Sequence, residues 1–233
     1  YVVQDIIIAA ILMISIMFIC SFVILKLIKF PIRALVNPMT FSNSGNLGMT
    51  IALFAFGSLG LELAVIYFMI TSLLHFTVGQ SIWSGKWSIK ILLKTPLLLA
   101  VIAGLLVNFS DIGLPKTLTN TTSILAGITI PLLLFTMGIS INKIQFTIEP
   151  KIIILIIIRI IIASSLAYTI CIMLDINGIA KNIILLQGVL PAPIFTYLFA
   201  SKFNVNPHIV ANYLMTSTFI SLFTITIFLT LIL

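Results

Sequence analysis

The sequence predicts an all-α protein that crosses a membrane many times, and three observations predict it. Hydrophobic residues make up 61% of the chain and charged residues 7%, with a mean hydropathy of +1.31. That leaves too little polar surface to cover a water-soluble globule. The apolar residues fall into eight runs close to the ~20 residues that a helix needs to cross hydrocarbon. The charges lie mostly between those runs or toward their ends, with Arg159 the clear exception.

The first span covers about 6–28 and is followed by Lys26, Lys29 and Arg33. The second, 37–57, carries the polar, glycine-containing stretch NSGNLGM from Asn43 to Met49. The third, 62–83, holds His75, and a short basic connection with Lys86, Lys90 and Lys94 leads to the fourth, 88–108. The fifth, 121–141, follows a connection containing Asp111 and Lys116. Lys151 precedes the sixth, 152–174, which holds Arg159 and Cys171. The seventh, 181–202, is interrupted by Pro191 and Pro193, and the eighth, 208–231, follows Pro207.

A net charge of +7 raises the question of nucleic acid, but the basic residues are scattered singly, with no face to track phosphates. They read instead as a topology signal. With the first span running from outside to inside, nine of them fall on the cytoplasmic side, and Lys116 and Lys181 fall outside. Both ends of the chain are then external. Cys20 and Cys171 lie within spans and read as small buried hydrophobes.

An internal repeat organises the eight runs. A shift of 146 residues lays the first span on the sixth and places Thr50, Tyr67 and Met69 on Thr196, Tyr213 and Met215. It also lays NSGNLG, offset by one residue, on the GVLPAP of Gly188 to Pro193. Basic residues follow the first span but precede the sixth, so the copies insert in opposite senses, the pattern of inverted-repeat secondary transporters. The fourth and fifth spans have no counterparts ahead of the first. The repeat therefore predicts a five-plus-five parent with two further N-terminal spans, a natural eight-span protein being the alternative. Residues 1–83 and 152–233 form the corresponding parts of the two repeats, and 84–151 the helix pair between them.

The two interrupted spans carry the functional expectation. Glycine lowers helix stability by about 1 kcal/mol, Asn is a poor interior helix former, and proline removes an N–H donor. Backbone groups freed at membrane depth need protein or water as partners. Paired breaks in inverted halves mark a substrate site near the midplane, where half-helix N-termini suit a carboxylate. Arg159 either snorkels to the interface or serves a buried role, drawing in an anion or anchoring a half-helix C-terminus. His75 is either a packing residue or a proton carrier. Asp5, Glu62, Asp111, Glu149 and Asp175 all fall at helix ends or connections, which excludes a buried carboxylate pair of a protease within these residues. No zinc-ligand cluster or phosphate-cradling loop is present either, so the reading is not an enzyme.

Three stretches resemble the auxin efflux carrier family, the PIN-like transporters that include prokaryotic malate and malonate permeases. They are NPMTFSNSGNLGMTIALFAFG from Asn37 to Gly57, ITIPLLLFTMGIS in the fifth span, and QGVLPAPIFTYLFASKFNVNP from Gln187 to Pro207. The short connection from Ser84 to Lys94 matches the prokaryotic type. The resemblance implies a permease of small organic anions such as malate in the cell membrane, working by alternating access, with a mobile transport domain and a scaffold that forms a homodimer. It places substrate-binding residues at Asn43, Gly45, Asn46 and Gly48 and at Pro191, Ala192 and Pro193, with Thr196 bordering the second break. No cofactor is implied, and coupling to H+ or Na+ stays open. The alternatives are a sodium-coupled symporter of the bile-acid type and a non-transporting membrane subunit.

Overall fold

A computed structural model describes residues 2–85, 96–110, 113–142, 147 and 149–233. Helix α1 is Val2–Leu27, and α2, Ile32–Thr40, begins after Pro31. An extended segment at Phe41–Asn43 separates α2 from a π-helical turn, Ser44–Met49, which continues directly into α3, Thr50–Leu74. A second π-helical turn, His75–Gly79, joins α3 to α4, Gln80–Ser84. Then come α5, Pro96–Phe109, α6, Lys116–Asn142, and α7, Pro150–Met173. Helix α8, Gly178–Val189, and α9, Ile194–Lys202, flank the extended residues 190–193, and α10 is Pro207–Ile232.

Among the described residues, five helical stretches are long and apolar enough to cross a bilayer, and the α8–α9 pair, bent by 45°, makes up to six. The stretch Ile32–Ser84 counts once although it is 53 residues long. At 1.5 Å per residue that is about 80 Å, far beyond the ~30 Å of hydrocarbon, so it must double back. Gly57 provides the turn: its φ of 69° and ψ of −160° lie in a region open essentially to glycine alone. The first part of the expected fourth span, 88–95 with Lys90 and Lys94, and Lys86 ahead of it lie outside the described residues.

Two features of the second span correct the sequence reading. It begins at Ile32 rather than near Asn37. Its break is Phe41–Asn43, so Gly45, Asn46 and Gly48 sit in the wide turn after the break instead of forming it. Pro38 inside α2 removes a helical N–H donor, and the helix ends two residues later at Thr40.

Helices α1–α4 and α7–α10 pack into one body with two main cores. One joins Leu35, Met39 and Trp83 to Ile152, Ile156, Tyr213 and Leu214. The other joins Ala9, Ala10 and Met13 of α1 to Ala163 and Ala167 of α7 and Ile183 and Ile184 of α8. Without a hydrophobic drive between helices in lipid, such small residues let backbones approach closely. By contrast α6 is exposed along almost all its described length and meets the rest mainly at the Ser44–Met49 turn.

Gly188 shows how tight this packing is. A Cβ there would lie 2.9 Å from Ser164 Cα and 3.0 Å from Ser164 N, backbone atoms of α7 that cannot rotate away. Gly188→Ala should lower stability by about 1–3 kcal/mol through overpacking, read as a lower midpoint of thermal unfolding in detergent.

Candidate functional site

The two breaks meet. The Asn43 amide donates to the Pro191 carbonyl at 2.8 Å, and the Ser42 hydroxyl donates to Gln187 Oε1 at 3.0 Å. Ser42, Asn43 and Gln187 are all buried, so these contacts satisfy groups that lipid cannot. Gly48 lies where a Cβ would come 3.1 Å from Leu190 and 3.5 Å from the Gln187 amide nitrogen, which makes its missing side chain part of the close crossing.

A cavity of about 30 Å³ sits beside the crossing. Ser42, Asn43, Ser44, Gly45 and Asn46 contribute its first wall, and Pro193, Ile194 and Phe195 its second. The remainder comes from Phe68, Thr71, Ser72, His75 and Phe76. The start of the helix at Ser44 and the start of α9 at Ile194 therefore reach the same space. Each brings the positive end of its dipole there, with the Ser44 amide bonded back to the Ser42 carbonyl at 2.8 Å and the Thr196 amide to the Pro193 carbonyl at 3.0 Å. Asn43 adds a side-chain amide nitrogen, Nδ2, which is buried and has no hydrogen-bond acceptor. Donors and dipoles of one sign thus converge where no carboxylate lines the wall.

Of the residues expected at the site, Asn43, Gly45, Asn46 and Pro193 line the cavity. Gly48, Pro191, Ala192 and Thr196 do not; they build the crossing behind it. The Thr196 hydroxyl donates to the Pro193 carbonyl at 2.6 Å, and the Ala192 amide donates to Ser217 Oγ at 3.3 Å. Gly45 is required by its neighbour, since a Cβ there would meet the Phe68 ring at 2.7 Å.

His75 stands in the cavity wall and within a cluster of rings. Phe41 stacks on it with centroids 4.4 Å apart, and Trp83 and Phe199 lie 6.0 Å away. Its Nε2 is buried without a partner. Arg159 lies elsewhere: 4% exposed, it donates from Nη1 to the carbonyls of Gly188 at 3.2 Å and Leu190 at 2.6 Å. It neither reaches the interface nor lines the cavity. The aromatic wall of Phe68, Phe76 and Phe195 went unread in the sequence, because each ring sits in an apolar run where nothing distinguishes it from lipid-facing residues.

The chain belongs to a family of membrane transport proteins: the family model described as membrane transport protein matches residues 82–229. This is the auxin efflux carrier, PIN-like family to which the sequence motifs point. A relative, an uncharacterized transporter of Methanocaldococcus jannaschii, is 27% identical over 194 residues, covering 78% of this chain. The match spans 63% of that relative's length.

Asn37 supports the site from beneath, donating from Nδ2 to the Gly79 carbonyl at 2.9 Å and so tying α2 to the π-helical turn that carries His75. Asn37→Ala should destabilise the protein by about 0.5–1.5 kcal/mol by removing that buried hydrogen bond, measurable as an earlier thermal transition.

Proposed function

We propose that the protein is a secondary transporter of small organic anions and that the cavity at the crossing is its substrate site. The observation that carries this reading is the convergence of two half-helix N-termini and the unpartnered Asn43 side-chain nitrogen, Nδ2, on one space. A carboxylate would accept from these donors in surroundings of low dielectric, where charge-assisted hydrogen bonds are strongest.

At about 30 Å³ the cavity holds one or two waters and no dicarboxylate. Substrate entry therefore requires Phe68, Phe76 and Phe195 to part, and closure of these rings over the bound anion is the occluded step of an alternating-access cycle. Residues 1–83 and 152–233, related as inverted repeats, form the moving transport domain in this scheme. The 84–151 pair belongs to the scaffold through which a homodimer forms, and the near-total exposure of α6 supports that division. The basic residues orient both ends outward in the cytoplasmic membrane.

Uptake of labelled malate into proteoliposomes by the full-length protein tests the reading. Asn43→Ala and Asn46→Ala should each reduce uptake at least about tenfold, the effect of losing one charge-assisted hydrogen bond of 1.5–3 kcal/mol, while the folded fraction stays near wild type. Equal uptake by wild type and both variants would move the site away from the crossing. Absence of uptake across a panel of carboxylates by a folded wild type would remove organic anions as the cargo.

A further inference from the structure

The end of α8 presents a problem opposite to that of the cavity. A helix leaves its last carbonyls unpaired and carries the negative end of its dipole there. In interrupted membrane helices such carbonyl ends commonly hold a monovalent cation. Here the carbonyls from Gly188 to Pro191 have donors from within the chain. Arg159 Nη1 takes Gly188 and Leu190, the Thr224 hydroxyl takes Val189 at 3.1 Å, and the Asn43 amide takes Pro191 at 2.8 Å.

Arg159 is an unusual partner for such carbonyls. It is buried, its Nε has no acceptor, and among the described residues no carboxylate is paired with it. A buried cation without a paired anion is strongly unfavourable unless its surroundings replace water. Arg33 makes a similar contact, donating to the carbonyls of Ile82 and Trp83 at the end of α4, but it is exposed and needs no such replacement. The close approach of Gly188 to Ser164 sets the end of α8 against α7 about one turn from Arg159, which brings the guanidinium within reach.

We propose that the carbonyl end of α8 is a cation seat which the chain fills with its own Arg159, a tethered positive charge in place of a bound alkali-metal ion. The guanidinium then travels with the transport domain and never dissociates, so no sodium ion is loaded at this seat during the cycle. That consequence for coupling rests on the transport reading above. The seat itself does not, and its test needs no substrate.

Thermal unfolding of the full-length protein in lipid nanodiscs, at constant ionic strength, provides that test. The wild-type midpoint should be the same in sodium and choline chloride. Arg159→Ala should unfold earlier, and millimolar methylguanidinium should restore part of the loss in a saturable manner, whereas methylurea, neutral and of similar shape, should not. Rescue by methylurea as well, rescue by neither compound, an unchanged midpoint in Arg159→Ala, or sodium stabilisation of wild type would each overturn the proposal. Should the alanine variant not fold, Arg159→Lys should be more stable than Arg159→Gln. The reverse order, or equality, would show that the seat does not require charge. Failure of malate uptake leaves all these midpoints unchanged and bears on the substrate alone.

Discussion

Two chain breaks in a lipid-embedded body must find partners for their backbone groups, and that constraint organises the structure. Hydrocarbon supplies no hydrogen bonds, so each freed N–H or C=O left bare costs several kcal/mol. The breaks satisfy one another. Asn43 and Ser42 of one reach Pro191 and Gln187 of the other, and Arg159 and Thr224 close the carbonyls of Gly188, Val189 and Leu190. The crossing is thus possible only because α7, α8 and α10 are packed around it.

The same arrangement separates charge. Helix starts at Ser44 and Ile194 face the cavity, while the carbonyl end of α8 faces Arg159. Donors gather on one side of the crossing and acceptors on the other, so the protein presents an anion-compatible space with no lysine or arginine in its wall. A site built from backbone dipoles has two advantages. Under the transport reading proposed above, it holds the anion without a strong ion pair that would resist release, and it moves as a rigid unit with the helices that form it.

The chain belongs to the membrane transport protein family and has a multi-pass helical fold, and the transport reading proposed above rests on both. Within that frame the proposed division of labour follows packing density. The body containing both breaks is cohesive through two cores, whereas α6 touches it chiefly at the Ser44–Met49 turn. A contact confined to the turn that also lines the cavity is well placed to let access to the site change as one part moves against the other.

Sequence alone determined the solvent, the number and approximate limits of the apolar runs, and the two regions where helices fail. Composition and run length report transfer free energy, which depends on the residues themselves. Pro191 and Pro193 also marked the second break correctly, because a missing N–H acts locally. The first break was misplaced: NSGNLG looked like the interruption, yet Phe41–Asn43 is the extended segment and the glycines follow it. Their role is close approach, to Phe68 for Gly45 and to Leu190 for Gly48, and a partner some 20 or 140 residues away leaves no local trace. In the ungapped shift of 146, Phe41–Asn43 falls on Gln187–Val189, just ahead of the observed second break, so the repeat located the two interruptions only to within a turn. What only the tertiary structure decided was which polar groups meet: that His75 shares a cavity with Asn43, and that Arg159 turns inward to the end of α8. Those pairings are long-range choices among many donors and acceptors, and packing alone selects them.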